Sequence, residues 1–173
     1  MNKILRDELQ SVFGAVRITT PENTRVIINA KKDTVLPLLR FLKEKGYQHL
    51  ALISCVDWIE AQELEMVYIL SAYLGSDHAF SDKEQTNVIL KTRISRENPE
   101  FQTVIPVFQN AEPYERELHE LYGIRFKNHP RLVPLFLDRE YSIPPFRKDF
   151  DTRRYVKEVF DQVPFVDEEA EKV

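Results

Sequence analysis

Apolar positions keep two clear periods along the first part of the chain and lose both beyond Gly123. In residues 2–13, Ile4, Leu5, Leu9, Val12 and Phe13 fall near one stripe, with Asn2 placed to cap the start and Gly14 to end it. That spacing predicts a helix. Residues 34–45 predict a second, with Thr34 as N-cap, Pro37 in the first turn where a missing N–H is harmless, and Gly46 as the stop. Residues 24–30 read as a strand on their β-branched content. Residues 49–58 are apolar almost without a break until Asp57, which predicts a strand covered on both faces or central in its sheet. After a turn at 59–62, residues 63–74 alternate, with Leu64, Met66, Tyr68, Leu70 and Ala72 on one face. A polar loop over 75–85 leads to a second alternating strand, 86–95, which sets Val88, Leu90 and Ile94 against Lys91 and Arg93.

Residues 96–110 are transitional, with Asn98-Pro99-Glu100 shaped like a helix start. A charged helix then runs from Asn110 as N-cap to Gly123 as a left-handed stop. Tyr114, Leu118, Leu121 and Tyr122 share its apolar face. Glu115 with His119, and Arg116 with Glu120, are spaced to interact on the other faces. From Ile124 onward prolines at 130, 134, 144, 145 and 164 interrupt any period, yet Phe126, Leu132, Leu135, Phe136, Ile143, Phe146 and Phe150 call for burial. The fold class that follows is α+β: a mainly antiparallel sheet with helices on one side, followed by an extended C-terminal arm. The expected division is a domain over 1–123, ending in the charged helix, and a docking tail over 124–173.

Composition narrows the chemistry. A net charge of −4 argues against a nucleic-acid partner, which needs a broad basic footprint, and the Arg147-Lys148-Asp149 cluster is too small to supply one. The single cysteine, Cys55, sits in an apolar run and reads as a small buried hydrophobe rather than half of a disulfide. The N-terminus has no apolar signal core, and no window approaches a membrane span, so the chain is expected to be soluble and to reach a membrane only through something else. The four glycines stand apart, so there is no phosphate-cradling loop. Glu115, Glu117 and Glu120 with His119 invite a dimetal carboxylate site, but that needs Glu-x-x-His on facing helices, and there is one such helix with no second copy. Neither a catalytic centre, a cofactor site nor a metal site is expected in this chain, and Fe–S clusters need more cysteines than it has.

One stretch is distinctive. Glu115-Arg116-Glu117, then Glu120-Leu121-Tyr122-Gly123-Ile124, then His129-Pro130, resembles the signature of the 30-kDa subunit of respiratory complex I, a module shared with group 4 membrane-bound NiFe hydrogenases. Pro145-Phe146-Arg147-Lys148-Asp149-Phe150 is similar to a second block of that family, and Cys55-Val56-Asp57-Trp58 to a strand end in it. Pro113 and Val133-Pro134 depart from the complex I form and favour a hydrogenase or a sulfur-reducing cousin. The resemblance implies a cofactor-free structural subunit of a membrane-bound, ion-pumping electron-transfer complex. Its partners would be a large catalytic-type subunit and Fe–S subunits, which would hold the Fe–S clusters and any NiFe centre. They would also hold it peripherally at the cytoplasmic face of the cell membrane. Glu115, Arg116, Glu117, Glu120, Tyr122, Gly123, His129, Pro130, Arg147, Lys148 and Asp149 become the expected subunit-interface residues. The reading from another class is a free-standing α+β binding adaptor.

Overall fold

The computed structural model describes residues 3–14, 16–22, 25–72, 87–137 and 141–159. Among the described residues the helices and strands follow in this order: α1 (Lys3–Phe13), β1 (Arg17–Glu22), β2 (Arg25–Asn29), α2 (Val35–Glu44), β3 (His49–Trp58), β4 (Glu63–Ser71), β5 (Asn87–Ser95), β6 (Glu100–Gln102), α3 (Ala111–Tyr122), β7 (Arg125–Lys127) and α4 (Thr152–Val159). The strands β1 to β5 form one sheet in the order β1-β2-β5-β4-β3; only the β2–β5 pair within it is parallel. The expected α+β class with a mainly antiparallel sheet is therefore what the protein adopts. The loop expected over 75–85 lies outside the described residues.

Alternation decides which side is the core. Val26, Ile28, Ile53, Cys55, Leu64, Met66, Tyr68, Leu70, Val88 and Leu90 are buried on one face. They form one cluster with Leu9 of α1, Leu38, Leu39 and Leu42 of α2, and Leu118 of α3. The opposite face has no helix packed on it among the described residues. Val12 points away from the core and is 61 % exposed, which narrows the stripe expected on α1.

Several expectations change. β3 is an edge strand, not a central one, and its burial alternates once a bulge between Leu50 and Leu52 is allowed for. The unbroken apolar run arises because Leu52 and Val56 lie on the outer face. The bulge is covered by the next helical segment: Asn110 Nδ2 donates to the Leu50 carbonyl at 2.8 Å and Tyr114 OH to the Ala51 carbonyl at 3.0 Å. Asn110 thus stands at the N-cap position of α3 without capping it, and Thr34 likewise makes no side-chain cap at α2. Asn98-Pro99-Glu100 leads into β6, not a helix.

The packed unit also continues past Gly123. β7 pairs in parallel with β6, and Ile124 and Phe126 are buried in the main core. The boundary expected after residue 123 therefore falls after Lys127. The tail is not wholly extended either, because α4 interrupts it. Asp151 caps that helix by accepting from the Arg154 N–H at 3.0 Å. Tyr155 of α4 packs with Tyr141 and Phe150 at centroid distances of 5.0 and 5.6 Å.

Candidate functional site

Helix α3 is the centre of the candidate site, and each pair expected on it finds its partners elsewhere. Glu115 lies on the buried face with Ala111, Leu118 and Leu121, and is fully enclosed. It accepts from Thr103 Oγ1 at 2.6 Å and from the Val104 N–H at 2.7 Å, so it ties α3 to the loop leaving β6 instead of pairing with His119. Burial pushes its pKa up to about 7, against the pull of those two hydrogen bonds. His119 turns to the helix end, where Nδ1–H donates to the Ile124 carbonyl at 2.9 Å.

Arg116 and Glu120 do not pair with each other; they hold the arm at what we term the near clasp. Arg116 donates through Nε to the Val133 carbonyl at 2.9 Å and through Nη2 to the Pro134 carbonyl at 2.8 Å. Its remaining contact on the helix is Glu112, at 3.3 Å. Glu120 accepts from the N–H groups of Leu135 and Phe136, at 3.1 and 3.0 Å, and from that of Leu137. A guanidinium fork on two carbonyls and a carboxylate on three amides grip an irregular segment that has no ladder to satisfy its backbone. His129 supports the approach: its Nδ1 accepts from the Arg131 N–H at 3.0 Å, which leaves Nε2–H to donate to the Glu112 carbonyl at 3.4 Å. Pro130 is exposed in the turn between, and Glu117 joins neither clasp.

The far clasp forms where α3 ends. Gly123 has φ +75°, and a Cβ there would lie 2.9 Å from Pro144 Cγ, so both its backbone and its neighbour require glycine. The last carbonyls of the helix, left without intrahelical partners, are met by the arm: the Phe146 N–H donates to Leu121 O at 3.0 Å and Arg147 Nε to Tyr122 O at 2.8 Å. Arg147 also places a cation at the negative end of the helix. Burial, with Arg96 nearby, holds the Arg147 pKa below the usual arginine value. The ring of Tyr122 meets that of Phe146 edge-on at 5.9 Å.

Beneath this contact lies a buried ion cluster. Arg96 binds Asp57 in a bidentate manner, Nε to Oδ1 at 2.8 Å and Nη2 to Oδ2 at 3.1 Å, with Arg96 7 % and Asp57 4 % exposed. From the arm, Asp149 Oδ1 accepts from Arg96 Nη2 at 2.5 Å, and the Lys148 N–H donates to Asp57 Oδ2 at 2.9 Å. Burial works against the charge on Asp57, but the hydrogen bonds from Arg96 and Lys148 outweigh it and hold its pKa below the usual carboxylate value. Hydrogen bonds from Asp57 and Asp149 raise Arg96 well above its own. Cys55, under the same roof, has its thiol pushed up to about 12, chiefly by burial, which makes it inert as a nucleophile.

Arg147, Lys148 and Asp149 therefore meet, but within this protein, around an Asp57–Arg96 pair that was not expected. Thr103, the partner of Glu115, was missed too. A readable signal existed for the pair, since each is a lone charge at the end of an apolar strand. Among the described residues, no group of three or more His, Cys, Asp or Glu is placed to hold a metal ion. No helix among them is long and apolar enough to cross a membrane. What the site can do is mechanical: it presents a stiff arm whose own side chains stay free. Phe136 is 71 % and Phe146 57 % exposed.

Comparison with known proteins agrees with this geometry. Residues 28–156 match the family model for the respiratory-chain NADH dehydrogenase 30 Kd subunit, a span that contains both clasps. The sequence is 39 % identical over 149 residues to the C subunit of the F(420)H(2) dehydrogenase of Methanosarcina mazei, covering 85 % of this chain and 87 % of that one. It is 29 % identical over 144 residues to the C subunit of the NADH-quinone oxidoreductase of Moorella thermoacetica, covering 83 % and 90 % respectively. In structure it resembles a component of the membrane-bound sulfane sulfur reductase, an archaeal respiratory membrane complex. The TM-score is 0.82 at 26 % identity, over 99 % of this chain and 97 % of that one.

Proposed function

We propose an assembly role for this chain, which belongs to the 30-kDa subunit family of the respiratory-chain NADH dehydrogenases. In this reading it is a non-catalytic subunit of the peripheral arm of a membrane-bound, ion-pumping electron-transfer complex. It touches the large catalytic-type subunit and the Fe–S subunits, and those neighbours hold the cofactors. They also hold it at the cytoplasmic face of the membrane.

The observation that carries the proposal is the arm. Its backbone is engaged by Arg116, Glu120 and the end of α3, while Phe136, Phe146, Val133 and Ile143 face outward. Large apolar side chains held outward on a pre-stiffened backbone are what an interface core is built from, because little ordering entropy remains to be lost on docking. Among such complexes, the likeness to the C subunit of F(420)H(2) dehydrogenase favours one that takes electrons from reduced F420. A sulfur-reducing or hydrogenase-type complex is the second reading, supported by Pro113, Val133-Pro134 and the structural likeness to the sulfane sulfur reductase.

The test is purification in mild detergent from the native source through a tag on this protein. Stoichiometric recovery of a large subunit and Fe–S subunits is expected, and the electron-input subunit among them separates the two readings. The protein expressed by itself should bind no stoichiometric iron or zinc. Its recovery alone from native membranes would refute the assembly role and favour a free-standing adaptor.

A further inference from the structure

The outer face of the five-stranded sheet has an order of its own, set by strand register. Leu52, Ile69, Ile89, Ile27 and Thr19 lie side by side across all five strands. The next row is Ser54, Val67, Lys91, Asn29 and Arg17, and the row after it holds Val56, Glu65 and Arg93. The face therefore passes from an aliphatic row to a charged end within two residue steps. Over the charged rows opens a surface cavity of about 490 Å³, whose wall includes Arg17, Asn29, Lys31, Glu65, Lys91 and Arg93.

The charges in that wall do not balance. Glu65 holds Lys91 at 3.0 Å and Arg93 at 3.3 Å, and Arg93 also reaches Glu63 at 2.8 Å. Arg17 and Lys31 are exposed and have no carboxylate partner among the described residues. On a protein whose net charge is −4, this is a local cationic excess bordering apolar surface. Leu52, Val56 and Trp58 on the same face are 38, 39 and 39 % exposed.

We propose that this face is a second docking surface, separate from the arm, which receives a polypeptide segment of a neighbouring subunit. The segment lays apolar side chains along the Leu52–Ile69–Ile89–Ile27 row and places a carboxylate in the cavity between Arg17, Lys31 and Lys91. A planar carboxylate suits the Arg17 fork, and Glu65 keeps Lys91 and Arg93 pinned at the cavity floor. The same Glu65 and Glu63 disfavour a polyanion such as nucleic acid. A second copy of this chain is disfavoured because a dyad would set two cationic cavities face to face. The inference rests on the assembly role above.

Carbodiimide treatment of the detergent-purified complex tests it, because this reagent joins an amine to a carboxylate only in direct contact. An amide link from Lys31 or Lys91 to an Asp or Glu of another subunit is expected. Arg17→Glu with Lys31→Glu should lower retention of the tagged protein in the complex about tenfold, as loss of a complementary charge pair does. Its denaturation midpoint in isolation should be unchanged. Links confined to this protein, or Lys31 and Lys91 acetylated as fast in the complex as in the isolated protein, would overturn the second surface. So would protection of Lys31 when the isolated protein meets vesicles of phosphatidylcholine and phosphatidylglycerol, which would assign the face to a membrane. A complex recovered with this face open defeats only the present inference, whereas a tagged protein recovered without partners defeats the assembly role as well.

Discussion

The near and far clasps hold the same arm to the same helix by different atoms. At the near clasp, Arg116 and Glu120 touch only carbonyls and N–H groups of residues 133–137, so the side chains of that segment are free to vary. At the far clasp, Arg147 and Asp149 use their side chains, which meet fixed partners at the end of α3 and at Arg96. The near clasp fixes a path; the far clasp fixes a sequence. Burial follows the same division: Arg96 and Asp57 are almost fully enclosed, while Phe136, on the near segment, is 71 % exposed.

The sharpest way to break the far clasp is Arg96→Met, which leaves Asp57 buried without its cation. Removing one partner of a buried pair costs about 3–5 kcal/mol, so chemical denaturation should show the isolated protein destabilised by that amount. A shift of pH reaches the domain from another side. Glu115 has a folded pKa of about 7 against an ordinary 4.5, so the folded protein keeps a proton that the unfolded one gives up. Stability is therefore full below pH 4.5, falls as pH rises towards 7, and levels off above it, a loss of about 3 kcal/mol. Glu115→Gln should flatten that slope in urea midpoints taken at about pH 5 and pH 8. The far clasp behaves oppositely: Asp57 and Asp149 have pKa values lowered from 3.8, so their contribution is present above pH 3.8 and lost only as pH falls below it.

Glu120→Ala should open the near clasp with a cost of about 1–2 kcal/mol, felt locally. Hydrogen exchange should quicken at the amides of 135–137 while those of β4 and β5 keep their protection. Phe136→Ser is the mildest change for the isolated protein, within about 0.5 kcal/mol, as for an exposed position. It should nonetheless weaken retention in the complex, which separates what holds the arm from what the arm holds.

That difference in atoms is also why the sequence showed the far clasp more plainly than the near one. Contacts made by side groups leave a motif such as Pro145–Asp149, whereas contacts to the backbone leave none, so Arg116 and Glu120 looked like neighbours at helical spacing. Periodicity placed α2, α3, β3, β4 and β5 within a few residues of their observed bounds. It could not find β6 and β7, which have three residues each and take their stability from Phe101 and Phe126 packing into the core. It missed β1 because Pro21 and a register shift interrupt it. Glu115 was legible and misread: its spacing from Ala111, Leu118 and Tyr122 sets it on the apolar face, but a carboxylate there is accepted only once Thr103 and Val104 are seen to receive it.

The bulge in β3 also bears on life before assembly. A protomer translated ahead of its neighbours must wait in a crowded cell with a naked β-edge, the usual seed of runaway strand-on-strand polymerisation. Asn110 and Tyr114 already occupy the Leu50 and Ala51 carbonyls, and the extra residue between Leu50 and Leu52 throws the ladder out of step. An orphaned copy is thus kept from templating its twin, and the pool of spare protomers stays usable for the next round of construction.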